Sequence, residues 1–161
     1  MRNLLSWIVV AGLACALAGV GSMVLAAGKE AATPQPTRDE LAAGLQKTFD
    51  ENLAATRKED VAAVMATVHA DSPGYAMNEK MQKQLFSRYN LNYEVVSFRY
   101  LGRDGRYAFA RVKQRTTKVT GPAFRDNELD SLQVFRKDEK TGRWKFWTSA
   151  NLEITFLPGA K

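Results

Sequence analysis

A histidine, an aspartate and a tyrosine lie within seven residues of one another, at His69, Asp71 and Tyr75. His69 is the only histidine in the chain of 161 residues. An imidazole with an ordinary pKa of about 6.5 can accept a proton at neutral pH, which makes it the usual general base of enzymes. These three residues are therefore the catalytic candidates, with His69 or Asp71 as the base and Tyr75 as a hydrogen-bond donor.

The same residues also have a purely structural interpretation. A stripe of apolar residues between Val61 and Val68 predicts a helix that runs into His69, and Ser72-Pro73-Gly74 must end it. An imidazole at the end of a helix suits the helix dipole, and Asp71 or Ser72 can accept hydrogen bonds from the amides of the turn. The sequence contains no second histidine and no recognisable nucleophile. The structural interpretation is therefore favoured, and no residue is assigned as catalytic.

Other kinds of chemistry lack the residues that they need. The only cysteine, Cys15, lies in an N-terminal apolar segment, so a mature chain without that segment has no thiol nucleophile, disulfide or cysteine-ligated metal. One histidine and the lack of an acidic D-x-D-x-D cluster leave no ligand set for a metal. No phosphate-binding glycine loop and no nucleic-acid-binding motif occur. The sequence thus predicts no cofactor, no metal and no nucleic-acid partner.

The N-terminal segment has the pattern of a bacterial export signal. Arg2 precedes a predominantly apolar stretch from Leu4 to Ala27, and Ala26 and Ala27 offer small residues for cleavage. The stretch is also long enough to span a bilayer, which needs about 20 residues, so a membrane anchor is expected if it is not cleaved. A cleaved signal peptide at residues 1–27 is favoured, which predicts a periplasmic or secreted protein. Its removal lowers the formal net charge from +6 to +5.

A folded domain is predicted for residues 37–161, after a polar, proline-containing linker at residues 28–36. Thr37 and Glu40 have the spacing of a helix capping box, and apolar residues then recur every four positions. Met77, Met81 and Leu85 predict a third, short helix that ends near residue 89. From residue 92 onward, four segments rich in β-branched and aromatic residues indicate strands joined by hairpin turns. Three helices followed by four strands predict an α+β domain, with helices packed on one face of an antiparallel sheet.

Alternation along residues 107–115 predicts which side chains meet the helices. Successive side chains of a strand point to opposite faces, so small residues share one face and aromatic and cationic residues share the other. The small face should pack against the helices, together with Trp144 and Phe146. The opposite face is a solvated surface covered by long cationic side chains, a dimer surface or platform for a partner, or an anion-binding site. The small residues are Ala108, Ala110, Val112 and Gln114, and the predicted interface residues are Phe109, Arg111, Lys113 and Trp147.

Three stretches carry a resemblance to a known superfamily: KTFDENLAATRKEDVAAVMATVHADSPGY, GRYAFARVKQ and GRWKFW. Together they resemble the paired helices and later strands of the nuclear transport factor 2-like (SnoaL-like) superfamily, over about residues 38 to 157. The resemblance implies a cone-shaped, cystatin-like α+β domain with a curved antiparallel sheet, often with a pocket at its open end and frequent dimerisation through the sheet. On this basis Tyr75, Trp144 and Phe146 are predicted to bind a small-molecule ligand.

The superfamily contains isomerases, dehydratases and cyclases as well as noncatalytic domains, so the fold does not decide the function. Ketosteroid isomerases use a carboxylate base in an apolar pocket, but the strand at residues 107–115 has no carboxylate. Glu128, Asp130 and Glu153 are interpreted as solvated surface. The favoured function is an exported, noncatalytic binding or assembly domain with a small pocket. The alternative is a cofactor-independent SnoaL-like lyase or isomerase acting on a small apolar substrate, whose pocket would bring His69, Asp71 and Tyr75 together.

Overall fold

A computed structural model describes residues 36–159 of the chain. The predicted signal peptide, and the linker up to residue 35, lie outside these residues. The elements follow the predicted order, and the four strands form one antiparallel sheet in the order β1-β2-β3-β4. None of the helices in the described part of the chain is both long and apolar enough to cross a membrane. The elements are α1 (Arg38–Arg57), α2 (Val61–Ala66), α3 (Tyr75–Phe86), β1 (Asn90–Asp104), β2 (Tyr107–Thr120), β3 (Asn127–Lys137) and β4 (Trp144–Phe156).

Helix α1 begins at the predicted capping box. The amide of Glu40 donates to the hydroxyl of Thr37 at 3.2 Å, and the amide of Thr37 donates to the carboxylate of Glu40 at 2.7 Å. These two bonds satisfy backbone donors that have no partner within the helix. The chain leaves α1 through Glu59, which has a positive φ of 57°, and Asp60 then caps α2 by accepting from the amide of Ala63 at 2.9 Å. The buried stripe of α1 is the predicted one: Leu41, Leu45, Phe49 and Leu53.

The core lies between α1 and the small-residue face of β2. We call this side of the sheet the inner face and the opposite side the outer face. Ala108 and Ala110 are fully buried against Leu41 and Leu45, because side chains this small let the helix approach the sheet closely. Trp144 completes this cluster, and its carbonyl accepts a hydrogen bond from the hydroxyl of Thr48 in α1 at 2.7 Å. The alternation along β2 therefore predicted the inner face correctly.

The segment after α2 departs from the prediction. Helix α2 ends at Ala66, three residues before His69. The amide of His69 donates to the carbonyl of Phe146 at 2.8 Å, and the amide of Phe146 donates to the carbonyl of Thr67 at 2.9 Å. These bonds add a short parallel bridge to the edge of β4, with Val68 opposite Phe146. The prediction that His69 ends a helix is wrong, because its backbone is bonded to the sheet.

Helix α3 forms over the predicted residues but buries none of them. Its methionines, Met77 and Met81, expose 63% and 59% of their surface. The expected apolar stripe of α3 therefore does not enter the core. The chain then turns into β1, where Tyr89 and the carbonyl of Arg88 pack against the β2–β3 connection. Gly121 sits at this contact with a φ of 121°, and a Cβ there would lie 2.6 Å from the Arg88 oxygen, so only glycine fits.

Candidate ligand-binding site

A cavity of about 410 Å³ lies between the inner face of the sheet and helices α1 and α3. Its apolar lining comes from the core side, through Phe49, Val68, Val112 and Phe146. The exposed methionines of α3 also line it. The polar part of the lining consists of amides and hydroxyls: Asn52, Ser72, Asn78, Gln82, Gln114, Ser131, Gln133, Thr148 and Ser149.

Within residues 36–159, the lining contains no titratable side chain. Asp, Glu, His, Lys, Arg, Cys and Tyr are all missing from it. A buried charge is strongly unfavourable unless it is paired, so this lining gives an ionised ligand no compensating partner. It also offers no group that could take or give a proton near neutral pH. The cavity is suited to an uncharged molecule that has both apolar and hydrogen-bonding parts.

Hydrogen bonds fix several of the lining amides. On β3, the amide nitrogen of Gln133 donates to the hydroxyl of Ser131 at 2.9 Å, and this hydroxyl donates to the carbonyl of Val112 at 3.3 Å. On α3, the amide nitrogen of Gln82 donates to Asn78 Oδ1 at 3.3 Å. The Oε1 atom of Gln82 is buried and has no partner within residues 36–159. Side-chain amides thus face the cavity from both the sheet and α3, in arrangements that the neighbouring residues determine.

The three catalytic candidates do not converge on the cavity. His69 is buried, and its Nδ1 accepts a hydrogen bond from the amide of Asp71 at 3.2 Å. The imidazole stands edge-on to the indole of Trp147, with ring centroids 5.3 Å apart. The carboxylate of Asp71 is 70% exposed and lies 3.8 Å from Arg136 Nη1. Tyr75 opens α3, and none of the three residues lines the cavity.

The aromatic residues of β4 have three different environments. Phe146, a predicted ligand-binding residue, lines the cavity, whereas Trp144 lies in the core outside the lining. Trp147 occupies an irregularity in the β3–β4 register and also borders the cavity. Its ring packs against Tyr107 at 5.9 Å and lies 4.6 Å beneath the guanidinium of Arg136. Trp147 thus stands at one end of the outer face.

Two cations of the outer face, Arg111 and Arg115, are paired with acids of neighbouring strands. Arg111 donates two hydrogen bonds to Asp130, at 2.8 and 2.7 Å, and Arg115 contacts Glu128 at 2.9 Å and Glu94 at 3.1 Å. The hydrogen bond from Arg111 lowers the pKa of Asp130, and the same bond raises the pKa of Arg111. Asp130 is buried, so its interpretation as solvated surface is wrong. The predicted interface residues Phe109 and Lys113 are half-buried on β2.

Other chemistry finds little support in the described part of the chain. Residues 36–159 contain no group of three His, Cys, Asp or Glu side chains that could hold a metal ion. Tyr93 is buried in the core, where desolvation, and next the charge of Glu59, raises its pKa to about 12. Its phenol therefore stays protonated at neutral pH and does not line the cavity.

The residues that the sequence did not single out are the polar ones on the inner face. Alternation along β2 predicts Gln114 on this face, whereas no prediction covers Ser131, Gln133 and Ser149. The available signal was the alternation of β3, where Leu129, Ser131, Gln133 and Phe135 share one face. Polar residues at positions that should pack the core are a recognised sign of a functional surface.

The order of elements, the single antiparallel sheet and the cavity on its inner face define a cone-shaped α+β domain of the nuclear transport factor 2-like, or cystatin-like, class. Solved structures of this class are similar to the chain. A conserved protein from Planctomyces limnophilus shares 22% identity over 74% of this chain and 98% of its own, with a TM-score of 0.60. An NTF2-like family protein from Streptomyces avermitilis, provisionally assigned as a dehydratase, shares 13% over 70% and 95%, with a TM-score of 0.58. A protein with a cystatin-like fold from Caulobacter vibrioides shares 14% over 72% and 89%, with a TM-score of 0.55.

These identities establish the fold and leave the activity open. The chain belongs to the family described as the C-terminal domain of the anti-sigma-I factor RsgI9, which matches residues 47–157. No curated protein matches the chain. The similar solved structures confirm the resemblance to the nuclear transport factor 2-like fold. The family takes its name from a regulatory protein, an anti-sigma factor.

Proposed function

We propose that this chain is an exported, noncatalytic binding domain that holds an uncharged small molecule in the cavity of its inner face. The observation that carries the proposal is the absence of any titratable side chain from the cavity lining. A general acid or base must reach the reacting atoms of its substrate, directly or through one water. A lining made of amides, hydroxyls and apolar groups can bind and orient a molecule without such a group.

The position of His69 also favours binding over catalysis. Its Nδ1 already accepts a hydrogen bond from the backbone of Asp71, and its ring packs against Trp147. This arrangement makes His69 part of the turn that follows the bridge to β4. The family is named for a domain of an anti-sigma factor. A recognition role in a regulatory protein needs selective binding and no turnover.

The size and composition of the cavity indicate the size of the ligand. Sites for small molecules usually occupy about 300–1,000 Å³ and combine apolar walls with a few polar groups that fix orientation. The cavity, at about 410 Å³, falls at the lower end of that range. We therefore propose a ligand of one or two rings, whose apolar part contacts Val112 and Phe146 and whose polar part meets the amides.

Ligand-observed saturation-transfer NMR tests this proposal with fragments matched in size and divided into neutral, anionic and cationic sets. The neutral set should give the strongest signals. The variant Ser149→Phe, which places a ring in the cavity lining, should remove them. Ser97→Phe is the matched control, because Ser97 is an exposed residue of β1 opposite Lys113 on the outer face. Stronger binding by the charged sets, or signals that survive Ser149→Phe, would contradict the proposal.

The proposed export rests on the N-terminal sequence. Arg2 and the apolar stretch that follows it have the pattern of a cleaved signal, which leads us to propose a periplasmic or secreted location. Intact-mass measurement of the protein recovered outside the cytoplasm should give a mass that corresponds to cleavage after Ala26 or Ala27. A mature protein that keeps residues 1–26 would instead be consistent with a membrane anchor.

We also propose that the outer face forms a homodimer. Arg111 and Arg115 are paired with acids of the same chain, so a second copy would not meet an uncompensated row of positive charge. Phe109 lies two residues from Arg111 on the same face of β2 and Trp147 lies at the end of the face, which gives two aromatic groups for contact. Aromatic anchors contribute most of the binding energy in many interfaces, while charges at the rim tune rate and salt dependence.

A further inference from the structure

On the inner face of β3, a polar residue lies two positions from a fully buried aromatic residue. Phe135 and Gln133 share this face, two residues apart. Phe135 is fully buried and packs against Phe146 with ring centroids 4.6 Å apart. Gln133 occupies the next inward position, where a packed core would hold an apolar residue. Because Gln133 lines the cavity, its carboxamide is available to a ligand.

The neighbours of Gln133 determine which end of its amide is available. The hydroxyl of Ser131 has one proton, and it donates this proton to the carbonyl of Val112 at 3.3 Å. The oxygen of that hydroxyl can then only accept, and it accepts from Gln133 Nε2 at 2.9 Å. A reversed amide would bring two acceptors together. Gln133 Oε1 is thus held as the acceptor, and no donor side chain within residues 36–159 bonds to it.

We propose that Gln133 selects a ligand that donates a hydrogen bond: an uncharged alcohol, phenol, lactam or N–H heterocycle with an apolar body. This inference rests on the proposed binding function of the cavity and specifies its ligand class. A carboxylate or phosphate would place negative charge against Oε1, and no cation lines the cavity to offset it. A molecule that only accepts hydrogen bonds would leave Oε1 without a donor.

The test compares two probes, indole and benzofuran, which have nearly the same shape. Indole carries an N–H group where benzofuran carries an oxygen, so only indole can donate to Gln133. We expect indole to bind the full-length chain about 5- to 10-fold more tightly, the size of one net hydrogen bond. Dissociation constants from ligand-observed NMR titrations measure the ratio. Gln133→Leu should bring the two affinities within about 2-fold of each other, because the acceptor is gone.

A second variant tests the orientation of the amide. Ser131→Ala removes the hydroxyl that holds Gln133 Nε2, so the amide can turn and donate to benzofuran. Indole should still bind, and the preference for it should shrink towards about 2-fold. If Ser131 has only a structural role, Ser131→Ala should weaken the binding of both probes equally. Gln84→Leu on the exposed side of α3 is the matched control and should leave the ratio unchanged.

The possible failures can be told apart. Equal binding of both probes to the unmodified chain, or a preference that survives Gln133→Leu in a folded variant, would overturn this inference and leave the binding function standing. Tighter binding of indole-3-carboxylate than of indole would contradict the uncharged ligand of the proposed function. If neither indole nor benzofuran binds, both the inference and the proposed function are contradicted.

Discussion

Replacing Gln133 by leucine should separate ligand recognition from stability. Gln133 and Phe135 lie two residues apart on the inner face of β3, so the strand presents both side chains in the same direction. Phe135 fills the core, whereas Gln133 borders the cavity. We expect Gln133→Leu to abolish the selection of donors while the domain stays as stable as before. Phe135→Ala is the comparison, and it should damage the fold.

The expected magnitudes follow from the two environments. Full burial of a leucine contributes about 1.5–3 kcal/mol, and a side chain that borders an open cavity gains roughly half of that. The substitution also loses the hydrogen bond from Gln133 to Ser131, which contributes about 0.5–1.5 kcal/mol. The two changes nearly cancel, so the free energy of unfolding should change by less than about 1 kcal/mol. Phe135→Ala should cost about 3–5 kcal/mol, because it leaves a cavity in a fully buried site.

Urea denaturation of the two variants, followed by far-ultraviolet circular dichroism, measures both changes. For Gln133→Leu we expect an unchanged dependence of the unfolding free energy on urea concentration and a nearly unchanged midpoint concentration of urea. For Phe135→Ala we expect a much lower midpoint. A loss of more than about 2 kcal/mol in Gln133→Leu would show that the glutamine stabilises the fold, since it would exceed one net hydrogen bond. Gln133 would then serve the stability of the fold and not the binding of a ligand.

Four further variants test other parts of the structure. His69→Gln should change the affinity for indole little and the free energy of unfolding by no more than about 1 kcal/mol, because the imidazole accepts a single hydrogen bond, from the amide of Asp71, and lies outside the cavity lining. A loss of binding beyond about 100-fold would restore a functional role, since it corresponds to about 2.7 kcal/mol. The pKa of Asp130 is lowered by its hydrogen bond with Arg111, so its contribution to stability is complete above its ordinary value of 3.8 and is lost as the pH falls through the lowered pKa. In urea denaturation, the difference between the unmodified chain and Asp130→Asn should therefore shrink as the pH falls below 3.8, and a difference that does not shrink on acidification would contradict this assignment. Trp147→Ala should weaken self-association in sedimentation experiments at micromolar concentration. Arg111→Ala should change mainly the salt dependence of self-association. If the unmodified chain and both variants are monomers, the outer face is only a solvated surface.

Much of the fold could be predicted because its signals are local. The capping box at Thr37 and the four-residue spacing from Leu41 fix the start and the buried side of α1. Alternation along β2 gives the inner face, since Ala108 and Ala110 are too small to serve any purpose there except close packing. These patterns depend on residues that are neighbours in sequence, and so they can be found without knowing which strands pair.

The contacts that depend on register could not be predicted in the same way. The pairing of Arg111 with Asp130 joins two strands, and the sequence does not state how these strands align. His69 lies outside the helix, with its backbone bonded to Phe146, which lies far along the chain. Gln133 matters because it is bonded to Ser131 on the inner face and borders a cavity. That cavity exists because α3 packs over the sheet, which the sequence does not specify.

An NMR titration can establish whether the cavity of the inner face binds an uncharged molecule. Two-dimensional spectra of isotopically labelled protein should be recorded with indole and with indole-3-carboxylate. We expect indole to shift the side-chain amide signals of Gln114 and Gln133 in a saturable way and to leave the guanidinium signal of Arg111 unmoved. Indole-3-carboxylate should have little effect on these signals. Saturable shifts caused by the acid and centred on Arg111, with the two glutamines unchanged, would contradict the proposed binding.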